Sequence, residues 1–288
     1  MKPWVLSGIR FYFRAMARVA PRVAGRHAYW LFSTPRYRAR TPEAASAVMA
    51  RARRFELDVE GRSVAAFEWA ASRPDAPRVL LMHGWESRAS RLAAWWVDPL
   101  LAAGFSVFAF DAPGHGESSG RRSGPLLFAR SARRLADRVG EFDAVVGHSL
   151  GGLSAAIAIT AAERIGQRPL DPHKSLVIAG AESGGEAMAY FCRVLGLPDD
   201  FLPLLLAGAA ESEGMEVASF DGHRIMPSRQ LPTLWLHDPD DPETSWLGAQ
   251  RVAEAAPHVR LEAVGGLGHH KIVSDSGVIR RGVEFLAA

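Results

Sequence analysis

Five short stretches, residues 79–83, 105–110, 144–147, 176–179 and 234–236, are apolar at successive positions rather than at alternate ones. A strand with one wet face alternates, whereas a strand apolar throughout must be covered on both faces. Helical candidates fall between or after these runs, at 92–103, 126–138, 150–165 and 246–256. Two alternating stretches come first, 55–60 and 64–69, parted by Gly61-Arg62 in the manner of a hairpin. Strands alternating with helices after an antiparallel start restrict the chain to an α/β architecture. The expectation is an open, mostly parallel twisted sheet with helices on both faces.

The 288 residues, 48% of them hydrophobic and 23% charged, suit one large core or one core with a small appended domain. A formal net charge of +3 gives no general affinity for nucleic acid unless the positive charge is concentrated. It is concentrated only at the N-terminus. No Asp or Glu precedes Glu43, while Lys2, Arg10, Arg14, Arg18, Arg22, Arg26, Arg36, Arg38 and Arg40 all lie in that stretch. The lone Cys192 excludes an internal disulfide and fits a reducing compartment. No apolar run approaches the roughly 18 residues of a spanning helix. Arginines interrupt any signal-peptide core, although a transit peptide would share the Arg-rich, acid-poor character. A cytoplasmic location is expected.

Arg10, Arg14, Arg18, Arg22 and Arg26 recur every four residues and so fall near one helical face. Pro21 is expected to divide this helix and Gly25 to end its second part. Residues 1–54 thus read as a basic helical extension, closed by a helical stretch at 43–54, ahead of an α/β domain at 55–288. Two readings of the stripe stand side by side. It is either a solvated face of helices packed on the domain, or a contact with the inner face of an anionic membrane or an acidic partner. Between the strands ending near Ala181 and opening at Thr233 lie about 50 residues without strand character, a length that points to a functional insertion. A lid at about 184–230 is expected.

The pattern G-x-S-x-G occurs twice, so the pattern alone decides nothing. Gly116-Glu117-Ser118-Ser119-Gly120 runs on into Arg121-Arg122-Ser123-Gly124-Pro125, which reads as a flexible loop with no helix to present the serine. Gly147-His148-Ser149-Leu150-Gly151 follows an apolar strand and enters a helix of small residues. A turn that tight exposes the serine oxygen, needs the flanking glycines, and aims a helix N-terminus at developing negative charge. Ser149 is therefore the candidate nucleophile. A serine needs a base and an orienting acid, arriving later in the chain as acid and then histidine. Asp238, Asp240 and Asp241 follow the strand 234–236. His269 and His270 follow the glycines after the strand 261–264.

These motifs, together with His83-Gly84-Trp85 and Asp111-Ala112-Pro113-Gly114-His115-Gly116-Glu117-Ser118, resemble those of the α/β-hydrolase superfamily over roughly residues 55–287. The resemblance implies that fold, and it helps choose among the candidates. Members commonly carry His-Gly-x-x-Asp after the late strand. Asp241 has that spacing from His237, with Asp240 second and Asp238 replacing the usual glycine. The Gly-x-Gly-His pattern falls on His269, with His270 its neighbouring rival. The oxyanion donors implied are the amides of Leu150 and Trp85. The Trp85 indole either lines the pocket or packs in the core.

The expected activity is that of a serine hydrolase cleaving a carboxylic ester or related acyl bond through an acyl-enzyme. Thioesterase, amidase, carbon–carbon bond hydrolase and acyltransferase chemistry would use the same residues. A non-catalytic ligand-binding protein on the same scaffold is the reading from another class. Ser149 argues against epoxide hydrolases and dehalogenases, where this fold normally carries an aspartate nucleophile. No cofactor or metal is expected, since H-E-x-x-H, C-x-x-C and P-loop patterns are all missing. The apolar lid residues and tryptophans point to a small-molecule substrate with a hydrophobic part.

Overall fold

A computed structural model describes residues 3–288; Met1 and Lys2 lie outside the described residues. The strands are β1 (Arg53–Val59), β2 (Arg62–Trp69), β3 (Arg78–Met82), β4 (Ser106–Phe110), β5 (Ala144–His148), β6 (Lys174–Ile178), β7 (Thr233–His237) and β8 (Val259–Ala263). They form one eight-stranded sheet in the order β1-β2-β4-β3-β5-β6-β7-β8. Pairing is antiparallel for β1–β2 and β2–β4 and parallel for the rest, so the α/β architecture read from the apolar runs is the one observed.

The helices are α1 (Pro3–Val19), α2 (Pro21–Phe32), α3 (Ser46–Ala50), α4 (Ala89–Ala102), α5 (Pro125–Val139), α6 (Leu150–Thr160), α7 (Gly184–Leu195), α8 (Leu202–Glu213), α9 (Gly222–Ile225), α10 (Trp246–Ala255), α11 (Gly268–Lys271) and α12 (Ser276–Ala287). Two cores flank the sheet. Leu80, Met82 and Val145 meet α5, α6 and α10 on one side. Their chain neighbours Val79, Leu81 and Val146 meet α4 and α12 on the other. Successive residues of β3 and β5 therefore feed opposite cores, which is why these strands are apolar at every position. At roughly 1.5–3 kcal/mol for each large side chain fully buried, both faces contribute to holding the sheet. The edges carry charge instead. Arg260 pairs with Glu262 on β8 at 3.0 Å, and β1 pairs Arg53 with Glu68 of its neighbour, which discourages pairing with a further strand.

Several boundaries differ from the sequence expectation. The β1–β2 turn is Glu60-Gly61, both at positive φ (53° and 74°), as a two-residue hairpin turn requires; Arg62 already belongs to β2. The helix expected over 43–54 ends at Ala50, because Arg53 and Arg54 are drawn into β1 opposite Glu68 and Phe67. Pro21 does divide the N-terminal helix, sitting in the first turn of α2. Gly25, however, does not end α2. It lies where α2 crosses α8, and a Cβ there would stand 2.1 Å from the Leu204 carbonyl oxygen. Gly208 faces it from α8, equally close to Gly25. The glycine pair allows the two backbones to touch.

That crossing joins two distant parts of the sequence. Phe13, Ala24, Ala28 and Tyr29 from α1 and α2 share a core with Met188, Cys192, Phe201 and Leu205 from the 184–213 segment. Arg10 Nε donates to the Leu195 carbonyl at 2.5 Å and Arg14 Nη2 to that of Gly196 at 3.4 Å, covering the carbonyl end of α7, where positive charge is favoured. The N-terminal hairpin and the inserted helices together make one helical cap, and the segment after Ala181 holds helices and turns with no strand until Thr233.

Candidate active site

In an open α/β sheet, ligands bind beyond the carboxyl ends of the strands where the strand order reverses. Here β3 is flanked by β4 on one side and β5 on the other, so the reversal falls between the loops after β3 and β5. The β5 loop is a single residue, Ser149, with φ 54° and ψ −123°. Such a conformation costs a non-glycine residue roughly 1–3 kcal/mol and is held by the surroundings. A Cβ on Gly147 would stand 2.6 Å from the Gly151 carbonyl oxygen, and one on Gly151 would stand 2.1 Å from that of Met82. Only glycines let β3, β5 and α6 close this tightly around the serine.

Ser149 Oγ lies 2.9 Å from His269 Nε2, and His269 Nδ1 lies 2.8 Å from Asp241 Oδ2. A carboxylate can only accept, so Nδ1 carries the proton and Nε2 presents its lone pair to the serine hydroxyl. Asp241 is buried at the side chain and accepts three further hydrogen bonds. Glu243 N (2.7 Å) and Thr244 N (3.1 Å) reach Oδ1, and Thr244 Oγ1 (2.9 Å) reaches Oδ2. Burial works to raise its pKa. The hydrogen bond and charge of His269 and the two amides outweigh it, leaving Asp241 at about 2. Asp241 is therefore ionised near neutral pH.

The rival carboxylates do something else. Asp240 is exposed. Asp238 is buried and accepts the amides of Leu267 (2.7 Å) and Gly268 (2.5 Å) through Oδ2 and that of Asp240 through Oδ1. It ties the loop bearing His269 to the loop bearing Asp241, which explains an aspartate where the pattern has glycine. His270 is exposed and its Nε2 pairs with Glu243 Oε1 at 3.0 Å. His148 Nε2–H donates to the His269 carbonyl at 3.0 Å. Burial, then the neighbouring His269, push His148 down to about 3, so it stays a neutral prop under His269.

Ser118 is 1% exposed. Its hydroxyl donates to the Asp111 carbonyl and accepts the Ala65 amide at 2.9 Å. The flexible loop expected around it is in fact an ordered turn stitched to β2, with Ser118 buried between exposed Glu117 and Ser119. Asp111 Oδ1 accepts Ala89 N and Oδ2 accepts Glu117 N, so this motif braces the sheet ends.

The loop after β3 runs against the turn at Ser149, since a Cβ on Gly84 would stand 3.0 Å from the Ser149 Cβ. Neither the Trp85 nor the Leu150 amide donates to another protein group among the described residues. Glu86 follows at φ 50°. Its amide donates to His115 Nε2 at 3.1 Å. Its carboxylate accepts Arg36 N (2.7 Å), Nε (2.8 Å) and Nη2 (2.6 Å). Burial lowers His115 to about 3 and His83 to about 4, so both remain neutral. His83 Nδ1–H donates to the Gly84 carbonyl and Nε2 accepts the Ala112 amide. The Arg36–Glu86 clasp and the Thr244 hydroxyl carry no local sequence signature beyond the Asx-turn chemistry of Asp241-Pro242-Glu243-Thr244. The clasp partners are 50 residues apart.

Above Ser149 lies a cavity of about 300 Å³ between sheet and cap. Phe32, Met188, Phe191 and Val194 from the cap and Leu126 and Leu153 from the domain line it. The Trp85 indole lines it too, stacked on Phe32 at a 9° interplanar angle. Glu243 stands at the same floor, 3.7 Å from His269 Nε2. Tyr29, whose hydroxyl donates to Glu213 Oε1 at 2.6 Å, also lines the cavity, as does Glu213.

Among the described residues, one side-chain group has metal-ligand spacing: Glu182, Asp221 and His223, with ligand atoms within 4.8 Å of one another. His223 Nδ1 lies 2.5 Å and Arg251 Nη2 3.3 Å from the Glu182 carboxylate, so that carboxylate already has a histidine and a cation beside it. No helix of the described residues is long and apolar enough to cross a membrane.

The model of the alpha/beta hydrolase family matches residues 79–277. Among curated proteins, the chain is similar to the dihydrolipoyllysine-residue acetyltransferase component of the acetoin cleaving system of Cupriavidus necator. It is 39% identical over 114 residues, covering 38% of this chain and 29% of that one. It is also similar to esterase Rv0045c of Mycobacterium tuberculosis, 32% identical over 114 residues, covering 38% of this chain and 36% of the esterase. The matched region thus spans only about a third of these relatives' length. Among solved structures, esterase Pf2001 of Pyrococcus furiosus aligns with a TM-score of 0.64 at 17% identity, covering 88% of this chain and 95% of that one. At that identity the likeness speaks for the fold alone.

Proposed function

The chain belongs to the alpha/beta hydrolase family, and on that premise we propose that it cleaves carboxylic esters or closely related acyl compounds through an acyl-enzyme on Ser149. The observation that carries this reading is the unbroken line Ser149 Oγ, His269, Asp241 at 2.9 and 2.8 Å, set at the floor of an apolar cavity.

Each atom has a task. His269 Nε2 accepts the Ser149 proton as Oγ attacks the substrate carbonyl carbon. Asp241 holds the imidazole in the tautomer that makes this transfer available and stabilises the imidazolium. The amides of Trp85 and Leu150 receive the oxyanion, aided by the N-terminus of α6; one such donor is worth about 2.7–4 kcal/mol of barrier. The imidazolium then protonates the leaving alkoxide. A water deprotonated by His269 hydrolyses the ester formed on Ser149, releasing the acid and restoring the serine. The apolar lining supports a substrate whose acyl or alcohol part is hydrophobic.

Labelling by a fluorophosphonate probe tests the nucleophile. Wild type and Ser118→Ala are expected to label and Ser149→Ala to stay unlabelled. Labelling that persists in Ser149→Ala would falsify the assignment. A p-nitrophenyl ester series of rising acyl length then measures activity and cavity depth together.

A further inference from the structure

Among the described residues, ten large apolar side chains are exposed, and seven of them lie between Trp4 and Tyr37. This is the same stretch that holds no carboxylate before Glu43. On α1, Trp4, Gly8, Phe11 and Ala15 recur at i, i+4, i+7 and i+11 and share the outer face. Trp4 is 71% and Phe11 75% exposed, while Phe13 on the inner face is 3% exposed in the cap core. On α2, Val23, His27 and Trp30 repeat the spacing, with Trp30 55% exposed. Trp4, Tyr12 and Trp30 line one groove between the two helices. Proteins that stay in water rarely gather this much apolar surface in one place.

The arginines complete the pattern. Arg10 and Arg14 are drawn onto the end of α7, but Arg14, Arg18, Arg22 and Arg26 remain exposed. Arg18 falls seven residues after Phe11 and Arg22 eight before Trp30, helical spacings that set both positions within or at the border of the apolar face rather than opposite it. An apolar face carrying tryptophans and edged by arginines matches the layered chemistry of a bilayer surface. Indoles sit at the headgroup level, and long cationic side chains reach lipid phosphates. The groove also adjoins the cavity, since Ile9 and Leu31 line both.

We propose that the outer face of α1 and α2 docks on an anionic lipid bilayer, with Trp4, Phe11 and Trp30 in the interfacial layer and Arg18 and Arg22 on lipid phosphates, and that an acyl chain passes from the bilayer into the cavity beside Ile9 and Leu31. The docking stands by itself. The passage of an acyl ester rests on the hydrolase reading given above.

Sedimentation of the full chain with phosphatidylcholine vesicles, with and without phosphatidylglycerol, tests the docking. Binding is expected with phosphatidylglycerol present, weakening as salt rises from about 0.05 to 0.5 M. Trp4→Ser/Phe11→Ser/Trp30→Ser is expected to lower the partition by about tenfold or more, and Arg18→Glu/Arg22→Glu by about tenfold. Circular dichroism confirms that the variants are folded. No binding to anionic vesicles, or equal binding by the variants, overturns the proposal. So does a dimer in sedimentation velocity that the triple substitution dissociates while vesicles bind nothing, since that assigns the face to a second copy. Long-chain ester turnover in anionic vesicles, lost in the triple variant while a soluble short-chain ester is still cleaved, supports the passage. A chain that docks but labels nowhere with fluorophosphonate keeps the docking and removes the hydrolase reading.

Discussion

Replacing Asp241 with Asn separates two contributions of one carboxylate. The amide is isosteric and keeps an oxygen for the amides of Glu243 and Thr244, which now reach Oδ1 at 2.7 and 3.1 Å. Its NH2 then faces His269 Nδ1, where Oδ2 stood at 2.8 Å. Two donors cannot share that contact, so His269 moves its proton to Nε2 and presents a donor to Ser149. The base is lost with the geometry intact, and a fall in kcat of about 10⁴ is expected. Stability changes for a separate reason. At about 1.4 kcal/mol for each pH unit, holding the carboxyl at about 2 instead of 3.8 contributes about 2 kcal/mol. The folded pKa lies below the unfolded one, so this contribution is fully present above pH 4 and is lost as pH falls from 4 towards 2. In urea unfolding the difference between wild type and Asp241→Asn should shrink from about 2 kcal/mol at pH 6 to about 1 at pH 3. Ester turnover and unfolding are measured on the same preparations, with Asp240→Asn as control. The reasoning is refuted if Asp241→Asn keeps turnover within tenfold, if Asp240→Asn loses more, or if the stability difference does not change with pH.

Two further substitutions probe the parts that sequence motifs do not reach. Glu86→Gln weakens the clasp from Arg36 without touching Ser149, so kcat should fall about 10- to 100-fold through displacement of the Trp85 amide, with KM little changed; an unaltered kcat would show that the clasp does not position the loop. Gly25→Ala sets a methyl group 2.1 Å from the Leu204 carbonyl oxygen and should cost about 1–3 kcal/mol, seen as faster hydrogen exchange in α2 and α8, and unchanged exchange would mean that the crossing is not close.

The sheet was legible because its constraint is local. A parallel strand covered on both faces must be apolar at every position, and 79–82 and 144–146 advertise this directly. The strand-to-helix turn at Ser149 was legible for a similar reason, since the glycines at 147 and 151 answer backbone contacts made within that turn and its neighbouring strand. Gly25 misled because glycine has two uses that look alike in sequence. It can end a helix, or it can let another backbone approach, and only the partner at Gly208 distinguishes them. Ser118 misled in the opposite sense. A turn rich in glycine and serine looks open, yet the Asp111 carbonyl and the Ala65 amide bury its hydroxyl.

The division between what could and could not be read follows the division of labour in the site. The groups assigned to the reaction sit at strand ends and in the turns after them, where short motifs are enforced by close backbone contacts. The cap groups that shape the cavity come from α1, α2 and α7, brought together by a shared apolar core, by the crossing at Gly25 and Gly208 and by arginines on the end of α7. Apolar residues at helical spacing can satisfy those packing demands in many combinations, so no motif results and substrate choice has no local signature. The same segment also clasps the loop after β3 through Arg36 and stacks Phe32 on Trp85. On the proposed reading, a motion of the cap that admits substrate would pass through these two contacts to the Trp85 amide, and so would couple the proposed entry from the outer face of α1 and α2 to the proposed oxyanion site.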